Sequence, residues 1–203
     1  MSDHYFSRRP SSRVRLGLVR CRLRGLGFEF LTSPGIFSYR RIDLGTRLLV
    51  ESMVLPEAGR VLDVGCGYGP VGIAAARLVP GLEVWMTDVN ERAVRLAERN
   101  CGRNGVACVV REGDLYGPVG DTLFDVILSN PPFSAGMRRV VEPLVAGAWD
   151  HLVEGGSLQA VVRTNVGGRA LSGLMEGRFG GVEVLGRGSG FRVLRSVKRG
   201  SVD

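Results

Sequence analysis

The sequence predicts an α/β fold: a mostly parallel sheet with helices on both faces, preceded by a short β-hairpin. Three observations carry this. From Arg60 onward, short apolar runs alternate with segments whose apolar residues recur at helical spacing. Turns containing glycine, proline and asparagine separate the two kinds of segment. Before Asp43 the pattern differs, with arginines, glycines and aromatics around two apolar runs. The expected organisation is an N-terminal β-rich extension over 1–42 and an α/β domain over 43–203.

The elements follow in order. Val14, Leu16 and Leu18 alternate with Arg13, Arg15 and Gly17, and 26–31 is a second apolar run. Arg24-Gly25 between them marks a hairpin. Thr32-Ser-Pro-Gly35 is a turn, and Asp43 is a good N-cap for a helix through Leu44, Leu48 and Leu49. Residues 61–64 form a buried strand; Val71, Ala74, Ala75, Leu78 and Val79 then mark a helix ended by Pro80-Gly81. A second strand, 82–87, ends at Asp88, and Asn90 caps a helix with Ala93, Val94 and Ala97 inward. Residues 106–110 and 124–128 are the third and fourth strands. Val141, Leu144, Val145, Ala148 and Leu152 mark another helix, with Pro143 in its first turn, where a missing N–H costs little. Gly155-Gly156 leads into a strand at 158–162, and Leu171 and Leu174 mark a further helix. Residues 182–185 and 191–197 close the sheet as a pair, with Gly186, Gly188 and Gly190 in the turn.

Bulk properties narrow the function. The 203 residues are 44% hydrophobic and 23% charged, as in a globular core with a charged surface. No apolar run approaches the ~20 residues of a membrane span. The polar start, without an apolar stretch, shows no secretion signal. Cys21, Cys66, Cys101 and Cys108 form no CxxC pair, and His4 and His151 are far apart, so no metal is expected. Reduced cysteines fit a cytoplasmic protein. The net charge is +7, the pI is about 9.9, and Lys198 is the lone lysine. Arginine binds phosphates bidentately and stacks on bases, which suits a polyanionic partner; biased composition accounts for the same excess. Arg8, Arg9, Arg13, Arg15, Arg20, Arg22 and Arg24 are candidates for holding a nucleic-acid backbone, or equally a solvated strand face.

In a parallel sheet, ligands bind beyond the carboxyl ends of the strands. The first such end reads Asp63-Val64-Gly65-Cys66-Gly67-Tyr68-Gly69-Pro70. The spacing is GxGxG and an acid closes the strand. Asp88 closes the second strand, at a position suited to ribose hydroxyls. Glu112-Gly113-Asp114-Leu115 follows the third, and Asp114 can accept from an adenine amino group. Carboxylates around a ligand without pyrophosphate but with ammonium and sulfonium charges make electrostatic sense, which favours S-adenosylmethionine over a dinucleotide.

The fourth strand ends in Ser129-Asn130-Pro131-Pro132-Phe133. Two prolines rigidify this loop. The Asn130 carboxamide oxygen and the Pro131 carbonyl can accept the two hydrogens of an amino group, and Phe133 offers a face for stacking a base. An exocyclic amine shares its lone pair with the ring and is a poor nucleophile. Orientation, and hydrogen bonds that favour a pyramidal nitrogen, supply what it lacks.

The glycine motif and the Asn-Pro-Pro-Phe motif together resemble the class I methyltransferases of the "small" domain type. The resemblance is nearest to the ribosomal RNA guanine-N2 methyltransferases and their single-domain relatives. His4-Tyr-Phe-Ser7, Thr32-Ser-Pro-Gly-Ile-Phe-Ser38 and Ile42-Asp-Leu-Gly-Thr46 fit the same group. It implies a Rossmann-like, mostly parallel seven-stranded sheet, with Asp63, Gly65 and Gly67 at the methionine part of the cofactor, Asp88 at the ribose and Asp114 at the adenine. It also implies that Asn130 to Phe133 hold the target amine and that the stretch bearing Phe37 lies near the cofactor. The expected cofactor set is Phe37, Asp63, Gly65, Cys66, Gly67, Tyr68, Asp88, Val89, Gly113, Asp114, Leu115 and Asn130, and the catalytic set is Asn130, Pro131, Pro132 and Phe133. Two departures stand out. Larger members carry a second domain before the catalytic one, for which this length has no room. Ser134 stands where many members have His.

The expected activity is methylation of an exocyclic amino nitrogen of an RNA base, guanine N2 in ribosomal RNA foremost. The alternatives are protein glutamine N5 or DNA adenine N6 methylation, and a non-catalytic RNA-binding module of the same fold. The basic charge favours nucleic acid over protein.

Overall fold

The computed structural model describes residues 16–36, 38, 40–133 and 136–200. The His4–Ser7 stretch, Arg8, Arg9, Arg13, Val14, Arg15, Phe37 and Ser134 lie outside the described residues.

The hairpin is β1 (Gly17–Leu23) and β2 (Leu26–Thr32). Arg24 and Gly25 join them with φ of 44° and 79°. Two left-handed residues are the mark of the tight hairpin turn whose twist matches the strands. The turn sets Leu23 opposite Leu26, Cys21 opposite Phe28 and Val19 opposite Phe30. Directly opposed residues share a face, so the inward residues of β1 are Val19, Cys21 and Leu23. The expected alternation on Leu16 and Leu18 is thereby corrected: these are 50% and 45% exposed. Phe28, Phe30 and Leu23 are buried in the core shared with the helices that follow. Each such side chain contributes about 1.5–3 kcal/mol relative to exposure.

The rest alternates as expected: α1 (Leu44–Ser52), β3 (Gly59–Val64), α2 (Pro70–Leu78), β4 (Leu82–Asp88), α3 (Glu91–Arg103), β5 (Val109–Glu112), β6 (Phe124–Ser129), α4 (Glu142–His151), β7 (Leu152–Arg163), α5 (Gly168–Phe179), β8 (Glu183–Gly188) and β9 (Phe191–Val197). Asp43 caps α1 by accepting from the N–H groups of Gly45 and Thr46, and Asn90 caps α3 through those of Arg92 and Ala93. Pro143 sits in the first turn of α4, after one π-helical turn at Met137–Val141.

Three boundaries differ from expectation. β5 begins at Val109 and not at 106. Gly105 is left-handed, and the N–H groups of Gly105 and Val106 bond back to the carbonyls of Gly102 and Cys101. This helix-ending motif consumes the first residues of the apolar run. Leu152 opens β7 rather than closing α4, since it pairs with Phe124. Gly186 and Gly188 lie within β8, and the turn is Ser189-Gly190 alone.

The main sheet has seven strands in the order β5-β4-β3-β6-β7-β9-β8. β3 to β7 are parallel, and β9 runs antiparallel to both its neighbours. Its two faces carry separate apolar clusters, because successive strand side chains alternate. Val61, Val126 and Leu128 pack with α1, α2, α3 and the hairpin. Leu62, Val64 and Ile127 pack with α4 and α5. The chain leaves β3 for β4 on one side and returns to β6 on the other, which opens a crevice beyond the carboxyl ends of β3 and β6.

Two side-chain amides fasten the hairpin to this body. Asn100 accepts from Leu31 N at 2.7 Å and donates to Leu31 O at 3.0 Å. Asn104, one turn further along α3, does the same with Glu29 N at 3.1 Å and Glu29 O at 2.8 Å. They satisfy the free edge of β2 as a third strand would. Among the described residues, no helix is long and apolar enough to cross a membrane.

Candidate active site

A cavity of about 420 Å³ opens in this crevice. Every described residue of the two expected sets lines it: Asp63, Gly65, Cys66, Gly67, Tyr68, Asp88, Val89, Gly113, Asp114, Leu115 and Asn130 to Phe133. Phe37 lies outside the described residues, but its neighbours Ile36 and Ser38 both line the cavity.

The glycine loop crosses from β3 to α2. Gly65 and Gly67 have φ of 73° and 59°, and a Cβ on either would enter open space. Left-handed backbone favours glycine, and its bare surface leaves that space to a ligand. The loop is held from β4. The N–H groups of Gly65 and Cys66 donate to Thr87 O, and Gly67 N donates to Asp88 Oδ2 at 2.8 Å. The other oxygen of Asp88 accepts from Asn90 N at 2.8 Å. Asp88 thus faces the cavity and also ties the loop to the start of α3.

Asp63 accepts from Gly72 N, in the first turn of α2, at 2.9 Å. Burial pushes its carboxyl up to about 7; the Gly72 bond opposes this and the nearby Asp88 charge adds to it. Burial likewise raises Asp88 to about 6, against the bonds from Asn90 and Gly67. Two carboxyls buried beside one cavity are thus held above their ordinary range, and an entering cation would favour their ionised forms.

The catalytic loop is tied to the same frame. Ser129 pairs with Val64 across β6 and β3, and its Oγ donates to Val64 O at 2.8 Å. Asn130 Nδ2 donates to Thr46 Oγ1 at 2.9 Å and to Asp43 Oδ2 at 3.3 Å. Both amide hydrogens are so engaged by the start of α1. Among the described residues no donor reaches Asn130 Oδ1, which is left to accept from a ligand. The Phe133 ring rests on Gly167: a Cβ there would stand 2.5 Å from its Cδ1. Arg163 lines the same cavity and lies over the Phe191 ring, 4.9 Å from its centroid.

Several of these residues escaped the sequence reading. In the sequence Asp43 reads as a helix cap, and Asp43 and Thr46 both belong to the Ile42-to-Thr46 stretch that fits the family, with no site role attached to either. Gly167, Arg163 and Phe191 carried no signal for the site. The Gly167-Gly168 pair between a strand and a helix was the one available hint of a close backbone approach. Conversely, the described hairpin arginines are engaged within the protein. Arg20 pairs with Glu29 at 2.7 Å, Arg22 donates to Gly25 O, and Arg24 donates to the carbonyls of Glu51 and Met53 at the end of α1.

The strand order, its one antiparallel strand and the acid-lined crevice define the class I methyltransferase architecture. The chain belongs to the methyltransferase small domain family, whose family model matches residues 27–195. It is 36% identical to the Bacillus subtilis protein "Uncharacterized protein YbxB", over 98% of this chain and 100% of that one. It is 34% identical to ribosomal RNA small subunit methyltransferase C of Hamiltonella defensa, over 83% of this chain and 50% of that protein. Among solved structures it resembles the T. thermophilus 16S rRNA N2 methyltransferase RsmC in complex with AdoMet and guanosine. The TM-score is 0.83 and the identity 26%, covering 94% of this chain and 52% of that one. The chain therefore spans about half the length of these ribosomal RNA methyltransferases.

Proposed function

We propose that this protein transfers the methyl group of S-adenosylmethionine to an exocyclic amino nitrogen of an RNA base, guanine N2 in ribosomal RNA. The carrying observation is the Asn130 carboxamide, whose nitrogen is pinned by Thr46 and Asp43 so that its oxygen is free to accept.

The cavity fits the cofactor. Its volume lies in the range of small-molecule sites, about 300–1,000 Å³. Ile36, Val71, Ala93 and Leu115 give it apolar walls, and Asp63, Asp88 and Asp114 bring carboxyls from three successive strand ends. Bound there, S-adenosylmethionine supplies a methyl group on a positively charged sulfur. Asp63 and the bare backbone of Gly65 and Gly67 meet the methionine part, Asp88 the ribose, and Asp114 the adenine.

The chain's own residues then orient the acceptor. Asn130 Oδ1 accepts one amino hydrogen and the Pro131 carbonyl the other. Phe133, backed by Gly167, stacks on the base. Bonds to both hydrogens draw the nitrogen toward the pyramidal geometry of the transition state and aim its lone pair. A base presented in this way is unpaired or flipped from its stack. RNA as the bearer is supported by the net charge of +7 and by the ribosomal RNA methyltransferases the chain resembles. Guanine N2 is supported by the T. thermophilus neighbour, and ribosomal RNA implies the cytoplasm.

The test is transfer from labelled cofactor to separated RNA and protein fractions, followed by nucleoside analysis. N2-methylguanosine in ribosomal RNA is the expected product. Label confined to protein overturns the reading. Asn130→Ala is expected to bind cofactor normally and lose most turnover.

A further inference from the structure

We propose that the RNA strand flanking the target base is gripped by arginines at the cavity end of the β8–β9 hairpin, Arg187 and Arg192, with Arg169 beside them at the start of α5. The inference rests on RNA being the substrate and names the surface that holds it.

Position is the first reason. Gly167 backs the Phe133 ring, and the next residue, Gly168, backs the Arg192 guanidinium. A Cβ on Gly168 would stand 3.1 Å from Arg192 Nη2. The guanidinium therefore lies one residue along the backbone from the proposed stacking platform. Arg169 follows at once in the chain and is exposed.

Charge is the second. β8 and β9 pair Arg187 directly with Arg192, and Glu183 with Arg195. Far from the cavity the pair is an ion pair, Arg195 to Glu183 at 2.9 Å. At the cavity end it is arginine opposite arginine. Like charges directly opposed across a strand pair are destabilising. Among the described residues, no carboxylate pairs with either Arg187 or Arg192; the buried Nε atoms of Arg192 and Arg195 both lack an acceptor, so the two pairs differ in the anion at the guanidinium end. Two guanidinium forks on one face, without an internal anion, suit bidentate binding of successive phosphates. The hairpin arginines differ: Arg20, Arg22 and Arg24 all have partners within the protein.

The test compares R187Q/R192Q with the unaltered protein for binding of a single-stranded, guanine-containing RNA at several salt concentrations. Loss of two phosphate contacts is expected to lower the slope of log K against log salt by about 1.4, and affinity at ~0.1 M salt by roughly ten- to thirtyfold. Cofactor affinity by calorimetry is expected to stay the same. R187E is expected to weaken RNA binding further while raising the thermal midpoint, because it converts a repulsive pair into an attractive one. R20Q/R22Q is expected to change RNA affinity less than about twofold. Unchanged slope and affinity in R187Q/R192Q overturn the inference, as does an equal loss in R20Q/R22Q. Methyl transfer run in parallel separates the two proposals. RNA methylation that is indifferent to R187Q/R192Q removes the docking surface and leaves the activity. RNA binding that depends on these arginines, without methyl transfer to RNA, removes the activity and leaves the surface.

Discussion

Asn130 Nδ2 stands 2.9 Å from Thr46 Oγ1, so the first turn of α1 sets the orientation of an amide at the end of β6. An amide free to rotate would present NH2 and oxygen to the cavity in turn. A donor facing an amine's hydrogens repels it, whereas an acceptor binds it. Thr46→Val removes this bond, worth about 1 kcal/mol net, and is expected to lower kcat roughly fivefold. Cofactor affinity is expected to be unchanged and Thr46→Ser to restore most of the rate. A normal kcat in Thr46→Val would show that Asp43 alone holds the amide.

Gly167→Ala tests the stacking platform. A methyl group at this position meets the Phe133 ring at 2.5 Å and also sits on left-handed backbone, φ 84°. The ring is expected to shift, raising KM for RNA and lowering kcat, with cofactor binding intact. Unaltered kinetics in a folded variant would remove Phe133 from acceptor binding.

Asp63 and Asp88 make cofactor binding depend on pH. Their carboxyls sit at about 7 and about 6, above the ordinary 3.8. The folded protein therefore holds protons that the unfolded chain releases between about pH 4 and 7. The stability these groups contribute is fully present below about pH 4 and is lost as pH rises through 6 and then 7. A cationic ligand prefers the ionised form, so its affinity runs the opposite way. Between about pH 7 and 6, cofactor affinity is expected to fall up to tenfold per unit, and to level off above about 7.5. Calorimetry across this range checks it, and Asp63→Asn is expected to flatten the upper part of the curve. A flat profile in the unaltered protein would mean that neither carboxyl meets the cofactor's charge.

Asn100 and Asn104 hold the N-terminal hairpin. Asn100→Ala leaves the N–H and C=O of Leu31, and the carbonyl of Tyr68, without their partner. Unsatisfied groups of this kind cost about 1–3 kcal/mol each when buried. The expected loss is roughly 2–4 kcal/mol in denaturant unfolding, with faster amide exchange at Leu31. Because Tyr68 belongs to the glycine loop, cofactor affinity is expected to fall as well. Stability within about 0.5 kcal/mol of the unaltered protein would refute the edge-satisfying role.

Much of the molecule was legible in one dimension. Alternation of apolar runs located the elements because burial acts on strands and helices with different periods. Asp43, Asn90 and the glycines between Val64 and Pro70 announced local geometry, because capping and left-handed backbone depend on the residue itself. Acids at three successive strand ends marked the side on which the cavity lies, since parallel strands bring their carboxyl ends to one edge. β5 and the inward face of β1 were misplaced for a common reason. A helix-ending motif and a two-residue turn displaced them by a few residues, and periodicity alone does not report such a displacement.

What the sequence by itself determined is the set of chemical groups, their order along strand ends, and the local backbone each requires. These follow from short-range rules, in which a residue's own side chain or its near neighbours decide. Only the tertiary structure decided which groups act together. Thr46 reaches Asn130 across 84 residues and Asn100 reaches Leu31 across 69. Such meetings are set by the sheet order and the crossing of helices over it, and the resulting hydrogen bonds and charge pairs exist only once the chain has closed on itself.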